Sequence, residues 1–418
     1  MQPDLLPLLQ KSLSELFRSK LTAEFRRKCL TLTADLSFLW DLEWLEDGEG
    51  HVLASCIAHT CVEIRMIIDD SSVAELEKQE KLLFSCFVIL EKALQFFSEG
   101  SSASVCSSFA PFVICRTNTS ITDAIKSILR MFRDVRILSC VEHAQEDEGL
   151  PTVLHACIRM VSVWLVCDPE DLDGDVLETL PSLITLCSSR QSFAKLLLPA
   201  LCQLTREANY AACFTAHGGH SVIDHYLADH MGDCRETLSV CSGLNVFLNI
   251  LTAQETAVST KPEVFTSLVN TLCNARPPAD DTCKATAAVV GLLIVRQTSE
   301  VDLCSTETNC YADFLRVYAS FLASLLLCKS RTDGQEDGEE LLCLARLAVQ
   351  GLRECMEKGE AHRHVLIESK LVHELLRALP PRLDDLQLDS NLHREIVKLL
   401  ASLRQWPEGN TVLQGYNL

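Results

Sequence analysis

The residues best suited to chemistry are histidines and cysteines in the segment 213–234. Zinc takes four nitrogen or sulfur ligands, and six suitable side chains fall within these 22 positions. His225 and His230 are five residues apart, about 140° around a helix, which suits shared ligation poorly. A small metal site and a helix–turn–helix with solvated histidines both remain open, and the second is preferred. The six residues are Cys213, His217, His220, His225, His230 and Cys234.

A second set of candidate ligands is acidic and precedes a predicted helix over 176–187. The set is Asp168, Asp171, Asp173 and Asp175, with Gly174 between the last two. A calcium loop with Gly174 at its sixth position would begin at Pro169 and end at Leu180, where carboxylates are required. The carboxylates are therefore interpreted as an acidic cap, which opposes the partial positive charge at the helix N-terminus.

Motifs typical of catalysis are missing from the sequence. There is no phosphate loop GxxxxGKS/T, no dinucleotide motif GxGxxG, no GxSxG elbow, no HExxH and no CxxC pair. We therefore predict no catalytic, cofactor-binding or metal-binding residue and no cofactor, and we do not expect an enzyme. An enzyme that uses the segment 217–234 is kept as an alternative hypothesis.

The charge of the chain limits its partners. The 57 acidic and 37 basic residues give a formal net charge of −20. Such a surface repels phosphate backbones and anionic lipid headgroups, so nucleic acid is not expected as the main partner. The basic triplet Arg26, Arg27 and Lys28 is interpreted as a solvated helix face.

The 21 cysteines do not suggest a disulfide framework. Their number is odd, and many lie in apolar segments, among them Cys29, Cys56, Cys86, Cys157, Cys241 and Cys283. Free cysteine packs as a small hydrophobe in a reducing compartment. No signal peptide is recognised at the start, and the apolar stretches 82–90 and 319–328 fall short of the roughly 20 residues of a membrane span. The prediction is a soluble, cytosolic protein with no transmembrane segment and at most peripheral membrane association.

Helical periodicity recurs along almost the whole chain. Apolar residues fall on one helix face in 371–379, and again at Leu392, Ile396, Val397, Leu400 and Leu403. Only 16 Gly and 13 Pro interrupt these patterns, which favours helices over strands. Ser71-Ser72 and Asp280-Asp281 are predicted helix caps. Loops are predicted at 47–50 and near 98–108, 142–149 and 329–340.

A degenerate internal repeat indicates how these helices are arranged. The phrase 209–227, with Gly218-Gly219 at its centre, reads as a short helix, a tight turn and a longer amphipathic helix, and related phrases cover 258–272 and 365–379. The step from Phe214 to Val258 is 44 residues, close to the armadillo and HEAT period of roughly 40–47. The predicted fold is an all-α, armadillo/HEAT-like solenoid that forms one array over 1–418.

Two roles are considered for the aromatic residues near position 40. Trp40 and Trp44 are four residues apart, as are Phe38 and Leu42, which would place the two indoles on one helix face. Core packing is the preferred role. An exposed aromatic anchor for a partner is the alternative.

Several packing phrases resemble the neurochondrin family. They begin at His59, Leu154 and Leu196, and the most similar runs through 244–251 and 264–272. The resemblance covers residues 13–409, is weakest around 329–340, and corresponds to the middle and C-terminal parts of that armadillo-like family. The family's lipidated cysteine pair has no counterpart, since the first cysteine is Cys29 in a predicted helix.

This resemblance implies a non-enzymatic, cytoplasmic scaffold in neurons. It implies roles in neurite outgrowth and in neuron projections, restraint of calcium/calmodulin-dependent kinase signalling, and kinase or receptor-tail partners. The alternative of another class is a general helical-repeat adaptor for transport or complex assembly without a neuronal role.

Overall fold

The structure is a computed structural model that divides into two compact units, Met1–Leu204 and Thr205–Leu418. The part of the chain it describes forms helices joined by short turns, with no strand among those residues. The described residues are 5–40, 42–45, 51–69, 72–99, 111–134, 137–138, 152–167, 173–253, 262–274, 280–303, 309–326, 336–379 and 390–416.

The first unit is built of helices in two layers. In chain order they are α1 (Leu5–Arg18), α2 (Ala23–Trp40), α3 (His51–Asp69), α4 (Val73–Lys78), α5 (Glu80–Glu99), α6 (Pro111–Phe132), α7 (Thr152–Cys167), α8 (Asp173–Ser189) and α9 (Gln191–Leu204). One layer stacks α2, α5, α7 and α9 in succession, and the other stacks α1, α3, α6 and α8. The two layers also pack on each other, as α3 does on α5 and α6 on α7, because no helical hairpin could bury its apolar stripe alone.

The second unit repeats this plan. Its helices are α10 (Ala208–Ala216), α11 (Gly219–His230), α12 (Thr237–Ala253), α13 (Pro262–Asn274), α14 (Asp281–Gln297), α15 (Glu300–Leu303), α16 (Asn309–Leu326), α17 (Glu336–Lys358), α18 (Glu360–Glu368), α19 (Leu371–Ala378), α20 (Ser390–Gln405) and α21 (Pro407–Gly415). One layer stacks α10, α12, α14, α17 and α20, and the other stacks α11, α13, α16 and α19. The predicted fold class, an all-α solenoid of armadillo/HEAT type, is confirmed.

Two of the predicted repeat phrases form the same local structure. Gly218 lies between α10 and α11 with φ 79°, and Lys370 lies between α18 and α19 with φ 61°. In each case a residue in the left-handed region reverses the chain between a short helix and its partner.

The predicted caps are also found. Asp280 accepts the backbone N–H of Cys283 at 2.8 Å, and the backbone N–H of Ser72 donates to Glu75 at 2.8 Å.

The basic triplet is not the solvated face that the sequence suggested. Arg26 and Arg27 on α2 both donate to the carboxylate of Glu63 on α3, whose side chain has no solvent exposure. The Nε atoms of the two arginines lie 2.7 and 3.0 Å from the carboxylate oxygens. The reason is tertiary: a buried carboxylate requires charged partners, and the neighbouring helix supplies them. Lys28 does face solvent, where it pairs with Glu24.

Helix α3 also meets the length and hydropathy criteria for a membrane span. Among the described residues it is the one helix to do so, and 56% of the relevant window is buried inside the protein. It packs against α1, α5 and α6. A core helix of this kind is apolar for the same reason as a membrane helix, since it is surrounded by other apolar surfaces.

Some helices begin or end at residues other than those predicted from the sequence. Helix α8 begins at Asp173, three residues before the predicted start at Val176, and α17 begins at Glu336 inside a predicted loop. Helix α2 ends at Trp40, and Trp44 lies in a separate short turn, so the two indoles do not share a helix face. Leu399 is buried on α20 and Val397 is 44% exposed. The predicted loops at 47–50 and 142–149 lie outside the described residues, as do 100–108 and 329–335.

Candidate functional site

An apolar groove in the first unit lies across α2, α5 and α7. Its volume is about 540 Å³, within the range of roughly 300–1,000 Å³ typical of ligand sites. These are three successive helices of one layer, the arrangement from which helical-repeat proteins build binding surfaces. The groove is lined by Ala34, Asp35, Phe38, Lys81, Phe84, Ser85, Phe87, Val88, Glu91, Ala156, Arg159 and Met160.

Helical spacing explains how the lining converges. Each of the three helices contributes two apolar residues one turn apart, which places both on the same face. The pairs are Ala34 and Phe38 on α2, Phe84 and Val88 on α5, and Ala156 and Met160 on α7. Ala34 and Met160 are almost fully buried and form the floor, together with Phe87.

Phe38 at the edge of the groove is 71% exposed. Exposed phenylalanine is uncommon because burying the side chain would contribute about 1.5–3 kcal/mol. Leu39, the next residue on α2, is also 69% exposed. The edge of the groove therefore offers aromatic surface that the first unit itself does not bury. Trp44 is 6% exposed, in line with the core-packing role preferred for the tryptophans, whereas the largely exposed aromatic ring beside the groove is that of Phe38.

Charged side chains flank the apolar floor. Arg159 on α7 donates to Glu91 on α5 at 2.5 Å, and this hydrogen bond raises the pKa of the arginine. Lys81 and Asp35 are exposed at other points of the lining. The hydroxyl of Ser85 donates to the backbone carbonyl of Lys81 at 3.0 Å. The lining so described contains no histidine and no cysteine, and it suits binding of an apolar side chain.

Within the candidate His- and Cys-rich set, Cys213 Sγ and His217 Nδ1 lie 3.7 Å apart, but no three of the six side chains, all of them described, converge as metal ligands would. His217 Nδ1 lies 2.9 Å from the carbonyl of Cys213, and His225 Nδ1 lies 2.7 Å from that of Ser221. His230 packs against the ring of Tyr226 at a centroid distance of 4.6 Å. These imidazoles thus contact their own helices. Within the described residues, potential metal ligands converge elsewhere, at Cys241, Asp280 and Cys283.

The acidic set is only partly described. Asp168 and Asp171 lie outside the described residues, and α8 begins at Asp173. Asp175 in the first turn of α8 pairs with Arg133 at 3.2 Å. That carboxylate therefore links α8 to the end of α6.

The sequence signal for the groove is a pair of apolar residues one turn apart on each of three helices. Pairs of apolar residues one turn apart occur on many helices, and only packing of the layer shows which pairs remain uncovered. Phe38 and Leu42 have the same spacing, but α2 ends between them. Leu42, which lies beyond the end of α2, is 1% exposed, whereas the side chain of Phe38 is largely exposed to solvent.

Comparison with known proteins places these features in a family. Residues 2–345 match the family profile described as Neurochondrin. The chain belongs to the neurochondrin family. The matched range contains every described helix of the first unit, with the groove, and ends within α17. The suggested resemblance is thereby confirmed, while its extension from 346 to 409 lies outside the matched range.

A neurochondrin from Gallus gallus is a relative of this chain. The two are 22% identical over 381 residues, which cover 81% of this chain and 51% of the relative. The chain thus spans about half the length of the curated relative that it matches. Membership of the neurochondrin family agrees with the helical architecture of this chain. It does not show that this chain has the activity or the partners of the longer protein.

Proposed function

We propose that this chain is a non-catalytic scaffold that binds other proteins through the groove across α2, α5 and α7. The observation that carries the proposal is Phe38, a largely exposed aromatic residue beside an apolar floor. Binding energy at protein interfaces concentrates on a few aromatic and arginine residues next to well-packed pockets. Phe38 is an aromatic residue in such a position.

The partner segment is proposed to be an amphipathic helix with basic residues beside its apolar face. An apolar groove between helices accepts such a helix through side chains spaced three or four residues apart. The net charge of −20 attracts a basic segment at long range and repels an acidic one. The same charge makes nucleic acid an unfavourable partner.

The neurochondrin family suggests a more specific role, which we include in the proposal. The chain acts in the cytosol of neurons, supports neurite outgrowth and restrains calcium/calmodulin-dependent kinase signalling, with kinase or receptor tails as partners. The two units act as one helical array over 1–418. Family membership and the exposed groove support this role.

Binding to purified candidates tests the proposal. The full chain is titrated with a calcium/calmodulin-dependent kinase and with synthetic receptor-tail peptides, and kinase activity is followed in parallel. The proposal expects saturable binding to at least one of them and, for the kinase, lower activity. No saturable binding to any of them would remove the specific role.

A general helical-repeat adaptor is the alternative. It rests on the stacked helical layers and the groove, which helical-repeat adaptors of any tissue can share. Such an adaptor binds proteins through the same groove without a neuronal function. Depletion of the protein in cultured neurons distinguishes the two, since the neuronal role predicts shorter neurites and the adaptor predicts unchanged neurites.

A further inference from the structure

Three potential metal ligands converge in the second unit, away from the groove. They are Cys241 on α12, Asp280 immediately before α14, and Cys283 in the first turn of α14. Their sulfur and carboxylate oxygen atoms all lie within 4.8 Å of one another. Helices α12 and α14 are neighbours in the same layer, so their packing fixes the approach of the two thiols.

The local fold explains the position of each ligand. Asp280 caps α14 by accepting the backbone N–H of Cys283 at 2.8 Å, which holds its carboxylate over the first turn. Cys283 is buried and its sulfur lies 3.5 Å from the backbone carbonyl of Thr237. Thr237 is one turn before Cys241 on α12. The cap and the helix contact together direct all three side chains to one point.

The donor set matches a small thiophilic cation. Zinc binds cysteine sulfur at about 2.3 Å and carboxylate oxygen at about 2.0–2.2 Å, so ligands of one tetrahedral ion lie roughly 3.5–4 Å apart. A separation below 4.8 Å requires only small side-chain movements to reach that spacing. Two sulfurs and one oxygen leave the fourth position of the tetrahedron to water.

The electrostatic surroundings also favour a cation. Lys284, the basic residue next in sequence to Cys283, pairs with Asp281 at 2.9 Å and so does not neutralise Asp280. The carboxylate of Glu340 on α17 adds negative potential at Cys241. Metal binding would displace the protons that the thiols hold.

We propose that Cys241, Asp280 and Cys283 form a zinc-binding site that joins α12 to α14. The ion replaces the thiol protons, and its ligands come from two helices that are also joined by a hydrogen bond from Gln297 Nε2 to the backbone carbonyl of Leu251 at 2.8 Å. Binding therefore stabilises the second unit by linkage, since the unfolded chain does not hold the three ligands together.

Cobalt(II) is the probe, because tetrahedral cobalt–thiolate complexes absorb in the visible and near ultraviolet. The full chain, reduced with a phosphine and freed of metal, is titrated with cobalt and then with zinc. We expect one equivalent of cobalt with a thiolate charge-transfer band, displacement by zinc, and a higher melting temperature with zinc. Cys241→Ser, Cys283→Ser and Asp280→Asn each bind at least tenfold more weakly, and asparagine retains the helix cap.

Cys273→Ser is the matched control. Cys273 is a half-buried thiol on α13, and it contacts the backbone carbonyl of Cys310 at 3.3 Å. This variant is expected to bind cobalt as the unchanged chain does, while circular dichroism confirms that all variants are folded. The proposal fails if the reduced chain takes up no stoichiometric cobalt, or if Cys241→Ser and Cys283→Ser bind as tightly as Cys273→Ser. The proposal is also contradicted if Cys241 and Cys283 are found as a disulfide and the chain binds no cobalt once that disulfide is reduced.

Discussion

Arg159 on α7 donates two hydrogen bonds to Glu91 on α5, at 2.5 and 3.3 Å, beside the apolar floor of the groove. Both side chains are partly exposed, so their pairing contributes little to stability, below about 1 kcal/mol. The pair instead sets the charge at the edge of the groove. It cancels a negative charge that a basic partner would otherwise meet.

Removing either member of this pair should change partner binding in opposite directions. Arg159→Ala leaves the Glu91 carboxylate without its cation, so association with a basic segment becomes faster and more sensitive to salt. Glu91→Ala leaves the guanidinium and slows association. Stopped-flow or surface-plasmon measurements at low and high salt give both rates. Changes in the same direction for the two variants would contradict a basic partner.

The buried carboxylate of Glu63 should be essential for the first unit. Glu63→Ala leaves Arg26 and Arg27 without their acceptor, and loss of one partner of a buried ion pair costs about 3–5 kcal/mol. Denaturant unfolding measures the loss. Glu24→Ala is the control, because it breaks an exposed pair with Lys28 on the same helix and should cost below about 1 kcal/mol. Equal costs for the two variants would show that Glu63 is not buried with its partners.

The contact between Gly291 and Phe314 fixes how closely α14 and α16 pack. A Cβ atom at Gly291 would overlap the ring of Phe314, which is fully buried. Gly291→Ala should therefore destabilise the second unit by about 1–3 kcal/mol, although alanine favours helices. Gly174→Ala, where nothing lies within 4 Å, should be neutral or stabilising. Thermal unfolding compares them, and a stabilising Gly291→Ala would refute the close approach.

Stability should fall in mild acid because of His362. Its Nε2 donates to the carbonyl of Thr298 at 3.0 Å, and its buried Nδ1 has no hydrogen-bond partner among the described residues. Burial lowers its pKa below 6.5, with Lys358 adding to the shift and Glu300 opposing it. The folded state thus binds the proton less readily than the unfolded state. The contribution of neutral His362 to the free energy of unfolding is therefore fully present above pH 6.5, and it is lost as the pH falls below that value.

Two substitutions on α18 test this pH dependence. His362→Gln should flatten the fall in the free energy of unfolding below pH 6.5. His364→Gln should retain the fall, because His364 is exposed and pairs with Glu368. Urea unfolding on both sides of that pH measures each slope. The same slope in His362→Gln and in the unchanged chain would assign the effect to another group.

Local features were predictable from the sequence. The cap at Asp280 and the turn at Gly218 depend on residues within three or four positions, and these were found where expected. The helical character of α19 and α20 likewise follows from the spacing of their leucines.

Features that depend on distant residues were not predictable. Arg26 and Glu63 are 37 residues apart, and nothing near either position shows that one is the partner of the other. Phe38 became an edge residue because α2 ends at Trp40, which no local signal marked. The groove itself needs three helices from separate parts of the first unit. Cys241 and Cys283 were recognised only as apolar packing residues, since their convergence depends on the packing of α12 against α14.

The exposed ring of Phe38 offers the most direct test of a protein-binding groove. The full chain, Phe38→Asp and Leu238→Asp are titrated calorimetrically with the same purified partner. Leu238 is 85% exposed in the second unit, so its substitution introduces the same charge outside the groove. We predict that Phe38→Asp weakens binding by about tenfold or more, as for an interface hot spot, and that Leu238→Asp binds unchanged. Equal affinities for Phe38→Asp and the unchanged chain would contradict the groove as the binding site.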